Sequence, residues 1–323
     1  MERKVTRWRH NKPADLGSEA GAGTNGSNLT SVWQRRRRQE AEPGRIVTTH
    51  DTMSAQDKSG HATQLDHVII LVPYKDITDP PIWVTDHFIL SPGGRHVDNK
   101  TENRLILFAD GTYIELIAFI DDDPEKRRGH WWDLDYGIVD FALGTAEPFD
   151  YPALQERLES SGSGVSYAEP QAGGRRTPDG QELKWKVTFP LGAARGEVPF
   201  WCHDVTPRER RVPVNADNTK HPCGAVGMAG INTKVPASEL ERFGKALFAI
   251  TDETRQDDRY PVGCPVRAED SDTDLWIRLQ SIGEIASDHQ LSLTLRRPQK
   301  DGEGQSEIRA DIGGRTVVID FEK

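Results

Sequence analysis

Residues 65–119 read LDHVIILVPYKDITDPPIWVTDHFILSPGGRHVDNKTENRLILFADGTYIELIAF, and the fold is decided there. Three short runs rich in Val, Ile, Leu, Phe and Tyr stand out: 65–72, 103–109 and 112–119. Each is bounded by Pro, Gly, Asp or Asn, the punctuation of half-buried strands. Alternate residues of a strand share a face. His67 therefore falls in line with Leu65, Ile69 and Leu71, and Glu115 with Tyr113, Ile117 and Phe119. An imidazole and a carboxylate on apolar faces need partners, because an unpaired buried carboxylate is costly or stays protonated. Two readings stand. Either each is satisfied locally, by a carbonyl or a basic side chain, or the two converge on a metal ion. Their separation of 48 residues is no local motif and does not choose between the two.

The rest of the chain continues the same grammar. Asp79-Pro80-Pro81 reads as a helix start leading into 82–88, Ser91-Pro92-Gly93-Gly94 as a turn, and Asp110-Gly111 as a hairpin. A second unit follows about 70 residues on. It has a strand at 136–143, a helix after Asp150 that carries Leu154 and Leu158 and ends at Gly162, and strands at 182–190 and 198–205. Gly173-Gly174 reads as a turn, and 208–211 (RERR) as a solvated charged loop. A third unit begins at His221-Pro222. It has a strand at 227–235, a capping box at Ser238–Glu241, a helix with Leu240, Phe243 and Leu247 on one stripe, and four strands at 275–282, 290–297, 307–312 and 316–321. Gly302–Gln305 and Gly313-Gly314 are expected turns. These alternations define an α+β protein.

The LDHVIILVP opening, the LILFADGTYIELIAF hairpin and the later PFWCHD and HPCGA together resemble the glyoxalase-like domain family of the vicinal oxygen chelate superfamily, over roughly residues 64–230. The resemblance implies repeated βαβββ modules that form curved mixed sheets around a cleft, with first and last strands adjacent. That adjacency, not the spacing, would bring His67 and Glu115 together. It further implies a divalent metal (Zn, Mn, Fe or Ni) held by His67 and Glu115, with open positions for a small substrate presenting two adjacent oxygens. An enzyme of lyase, isomerase or dioxygenase type follows. The other reading is a non-catalytic protein that sequesters a small molecule, as bleomycin-resistance members do. His203 is the third candidate, as metal ligand or catalytic base. It stands where other members often place an acidic residue, so the chain departs from the pattern there. His221 is a candidate catalytic residue at the pocket rim, and Phe200, Trp201 and Trp83 are candidate walls, though aromatic residues at strand spacing are more often core. The superfamily's pairing of modules between chains implies a homodimer.

Composition divides the chain. Residues 1–62 are rich in Gly, Ser, Asn and Arg with few large apolar residues, the composition of a disordered basic tail. Residues 63–215 form the expected glyoxalase-like domain, and 216–323 a third α+β module that packs on or completes the sheet. Residues 1–52 hold ten Lys and Arg against six Asp and Glu, leaving 31 against 45, a net of −14, on the remainder. A domain that acidic is ill suited to nucleic-acid phosphates. No apolar run reaches the ~18–20 residues of a membrane span. Cys202, Cys223 and Cys264 form no C-x-x-C pair and read as reduced thiols, which points to the cytoplasm, or to the nucleus if Arg35–Arg38 is an import signal. Met53 precedes a short polar lead into the first strand and is a candidate initiation site, with 1–52 dispensable for folding. No nucleophile elbow, P-loop or dinucleotide fingerprint occurs.

Overall fold

A computed structural model describes residues 62–266, 275–282, 291–298 and 305–322. The readings of residues 1–61, with Arg35–Arg38 and Met53, and the turn at Gly302 lie outside the described residues. The first module runs β1 (Thr63–Leu71), α1 (Tyr74–Thr78), α2 (Ile82–Thr85), β2 (Ser91–His96), β3 (Thr101–Leu107) and β4 (Tyr113–Phe119). After α3 (Pro124–Arg127) the second runs β5 (Gly137–Thr145), α4 (Tyr151–Ser161), β6 (Ser166–Tyr167), β7 (Gln171–Arg176), β8 (Glu182–Thr188), β9 (Pro190–Leu191) and β10 (Phe200–Asp204), followed by α5 (Arg208–Arg211). Eight of these strands close into a barrel in the order β1-β4-β3-β2-β7-β8-β10-β5. Each module repeats one rule: its first and last strands pair in parallel, β1 with β4 and β5 with β10. An antiparallel β1–β5 pair joins the modules at one seam and a short β2–β7 pair at the other.

β1 and β4 are buried on both faces, which is why each reads as a near-continuous apolar run rather than an alternation. Ile69, Leu71, Ile117, Phe119, Val139 and Phe200 pack inside the barrel. Val68, Ile70, Ile114 and Leu116 face outward into the main core. Leu65 belongs to that outer set and not with His67, because the β1–β5 register breaks between Leu65 and His67.

Two expected turns are strands instead. Ser91–Gly94 opens β2, and Gly173-Gly174 lies within β7. A Cβ on Gly93 would stand 2.0 Å from the Asn103 carbonyl oxygen, and one on Gly94 2.1 Å from that of Arg176. The glycines are there for close strand approach, so that β2 can seat against both β3 and β7. The expected helix over 82–88 is a single turn, α2. α4 follows its sequence signals: Asp150 accepts the Ala153 N–H at 3.0 Å, and Gly162 ends the helix at φ 65°.

The remaining described strands form a six-stranded sheet. β11 (Gly227–Pro236), α6 (Leu240–Thr251), β12 (Arg259–Val262), β13 (Leu275–Ile282), β14 (Leu291–Arg296), β15 (Glu307–Ile312) and β16 (Arg315–Phe321) take the order β12-β13-β11-β14-β16-β15. The parallel first-to-last rule recurs twice, in β11 with β13 and β14 with β16, around an antiparallel β11–β14 pair. The segment read as one unit thus holds two abbreviated ones. Phe243, Leu247 and Ile250 of α6 are buried in the main core, each stabilising by about 1.5–3 kcal/mol. Ser238 does not cap this helix. A 3₁₀ turn over Ala237–Glu239 leads into it without a side-chain cap. Among the described residues no helix is long and apolar enough to cross a membrane.

Candidate metal centre

The parallel β1–β4 register sets Ile69 beside Glu115 and His67 beside Tyr113, and the inward faces of the two strands carry His67 and Glu115 into the barrel. Both side chains are buried. His67 Nε2 lies 3.4 Å from Glu115 Oε2. Two ligands of one ion at ~2.0–2.2 Å sit about 3–3.5 Å apart, so the separation suits a shared metal. The imidazole is fixed on three sides. Its Nδ1 meets Asp66 Oδ1 at 2.5 Å, its ring stacks on Tyr113 at 4.6 Å between centroids, and Phe200 abuts it edge-on.

His96 of β2 reaches the same carboxylate from the other side, with Nε2 3.6 Å from Glu115 Oε1. Its Nδ1 lies 2.8 Å from the Thr101 hydroxyl. Burial lowers its pKa, which favours the neutral ring that a metal needs. Asn103 Nδ2 donates to Glu115 Oε1 at 2.7 Å. Thus two imidazoles, each pinned at Nδ1, aim Nε2 at one oriented carboxylate. This nitrogen and oxygen donor set suits a divalent first-row ion. A cavity of about 30 Å³ lies among these residues, walled by Trp132, Trp185, Phe200 and Arg175. It is roughly the share of one water.

His67 and His96 approach opposite oxygens of Glu115, and among the described residues the trio whose possible ligand atoms lie within 4.8 Å of one another is a different one: Asp66, His67 and Cys202. Asp66 is spent, however. Its Oδ1 takes His67 Nδ1 and Arg211 Nη1, and its Oδ2 takes Arg211 Nη2 and Arg208 Nη1, which fills all four lone-pair directions of the carboxylate. Burial raises the Asp66 carboxyl, but the two guanidiniums and His67 outweigh it and hold it well below the ordinary range. Asp66 is therefore an orienting group for the His67 ring, the position a carboxylate takes behind histidines that ligate metals. Arg208–Arg211 is no solvated loop: it is α5, and Arg211 is 2% exposed, bound to Asp66, Asp204 and the Tyr113 hydroxyl.

The other predicted site residues lie elsewhere. β10 turns Phe200 and Cys202 into the barrel and Trp201 outward to the main core. His203, next in line, stacks on Phe149 and Trp201 and lines a separate cavity of about 290 Å³. Burial lowers its pKa to about 4, so it is also a weak base. His221 is buried in the outer core, where the Ile89 N–H donates to Nδ1 at 3.0 Å and Nε2 donates to the Leu107 carbonyl at 2.9 Å. Trp83 packs in that core too. His221→Ala should therefore lower unfolding free energy by about 1–3 kcal/mol, the cost of stranding buried backbone groups, with metal content unchanged. Denaturant unfolding beside elemental analysis checks this, and metal loss at intact stability would refute it.

On β5, where Asp140 pairs with Ile69, Trp131 and Trp132 both donate their indole N–H to Asp140 Oδ2, at 3.0 and 3.4 Å. Arg195 stacks on Trp131 and donates from Nε to its carbonyl at 2.9 Å.

Residues 65–248 match the glyoxalase-like domain family, over half of the chain, and the protein belongs to that family. No curated protein matches the chain. Among solved structures, a hypothetical protein from Staphylococcus aureus shares 16% identity at TM-score 0.55, over 80% of this chain and 99% of that one, a likeness of fold. The Mn(II)-bound glyoxalase from Novosphingobium aromaticivorans is 14% identical at TM-score 0.39, over 81% of this chain and 82% of that one. The halotolerant catechol dioxygenase BphC is 9% identical at 0.36, over 80% and 85%.

Proposed function

We propose that this barrel is a divalent-metal site in an enzyme acting on a small molecule with two adjacent oxygens, of lyase, isomerase or dioxygenase type. His67 and Glu115 are the ligands, and His96 supplies a further donor beside the carboxylate. The approach of His67 Nε2 to Glu115 Oε2 at 3.4 Å, with Nδ1 held by a saturated Asp66, carries this reading. An ion bound there supplies a Lewis acid that polarises a substrate oxygen. The chain's own residues do the rest. Asp66 fixes the His67 ring, Asn103 orients Glu115, and Trp132, Trp185 and Phe200 keep bulk water out.

Protein purified without chelator should carry close to one equivalent of Zn, Mn, Fe or Ni. His67→Ala and Glu115→Ala should each lose it, since a missing ligand removes most of the affinity, whereas His203→Ala should keep it. Metal-free protein at all stages of purification would sink the reading. If such protein still took up a small apolar ligand, sequestration would be the better account.

A further inference from the structure

We infer that Arg175 is an anion receiver, and that the substrate presents a carboxylate as one of its two adjacent oxygen-bearing groups; this rests on the metal-site reading above. Arg175 sits on β7 directly opposite His96 on β2 and lines the same cavity. It is 4% exposed. Nη1 donates to Asn103 Oδ1 at 3.3 Å and Nη2 to the Arg211 carbonyl at 3.0 Å, while Nε has no partner. Among the described residues no carboxylate forms an ion pair with it. Its neighbours are unlike it: Arg208 and Arg211 share Asp66 and Asp204 between them. Glu115 of the same cavity is the nearest counter-charge to Arg175, but the guanidinium itself is hydrogen-bonded only to two neutral oxygens and keeps an N–H left over, so no carboxylate contacts it directly.

The charges around the cavity point the same way. Asp66, Asp204 and Glu115 balance Arg175, Arg208 and Arg211 when the imidazoles are neutral, as ligands must be. A divalent ion adds two positive charges to a site closed to water, so its ligand is favoured when it brings negative charge. A planar carboxylate matches the guanidinium fork.

Oxalate and 2,3-butanedione, both with vicinal oxygens but only one charged, are the probes. Calorimetry on the full-length protein loaded with Mn²⁺ should show oxalate binding at least tenfold tighter than butanedione. Arg175→Gln should weaken oxalate about 10- to 100-fold, the worth of a charged hydrogen bond, with metal stoichiometry unchanged and butanedione affinity unmoved. Arg175→Lys should fall between. Equal affinity of the unmodified protein for both probes would overturn the inference even if the variants failed to fold, and so would undiminished oxalate binding by a folded Arg175→Gln. A protein that takes up no metal would sink the preceding reading instead. Oxalate binding by that metal-free protein, lost in Arg175→Gln, would then uphold the anion site, and no oxalate binding in either form would overturn it.

Discussion

Arg211→Met should destabilise the protein by about 3–5 kcal/mol, as removing one partner from a buried ion network does. The guanidinium is 2% exposed and donates to Asp66 at 3.0 and 2.8 Å, to Asp204 at 2.5 and 2.8 Å and to the Tyr113 hydroxyl at 2.6 Å. Methionine fills much of the volume but satisfies none of these acceptors, so the buried Asp66 would keep only Arg208 and the bond to His67. Lysine should rescue little, because a point charge cannot span two carboxylates as the fork does. Denaturant melts of Arg211→Met, Asp66→Asn and the double variant provide the check. The double variant should lose much less than the sum of the singles, because the second change removes the charge that the first left unpaired. A single-variant loss under 1 kcal/mol, or full additivity, would show that α5 is only loosely held.

That network was hidden in the sequence for a geometric reason. Strict alternation puts Asp66 on the face opposite His67. The break in the β1–β5 register beside Asp66 lets neighbouring residues serve one site. His67 and Glu115 themselves were legible, since each interrupts an apolar run on a strand with unambiguous ends, and the family resemblance supplied their adjacency. His203 drew attention as the polar residue in PFWCHD, but β10 presents Phe200 and Cys202 to the interior, so a one-residue difference in register sends the imidazole to another cavity. His96 and Arg175 follow glycine pairs that resemble turns. Only the close approach of β2 to its neighbours, which the glycines permit, makes those segments strands and turns both side chains toward Glu115. Four charges in RERR read as solvent-facing because nothing local signals that Asp66 lies 142 and 145 residues away in sequence, within reach of Arg208 and Arg211.

Asp140 sets the second large effect, on β5 across Ile69 from Glu115. Burial raises its carboxyl to about 6, against the pull of the Trp131 and Trp132 indoles and the Phe141 amide. In the unfolded chain the same group titrates near ~4. Between these two values the folded protein binds the extra proton, so this group's contribution to stability is fully present below about pH 4 and is lost as pH rises through about 6. The loss amounts to about 2–3 kcal/mol. Burial raises the Asp76 and Asp110 carboxyls as well, so the comparison has to be made between the protein and Asp140→Asn, which keeps an oxygen for the indoles but cannot ionise. The variant's stability relative to the unmodified chain should rise by about 2–3 kcal/mol from pH 4 to pH 7 and then level off. Tryptophan emission should report the same event, with a midpoint near pH 6 that the variant lacks, because ionised Asp140 is the stronger acceptor for both indoles. A pH-independent difference between the two proteins would mean that Asp140 keeps an ordinary pKa.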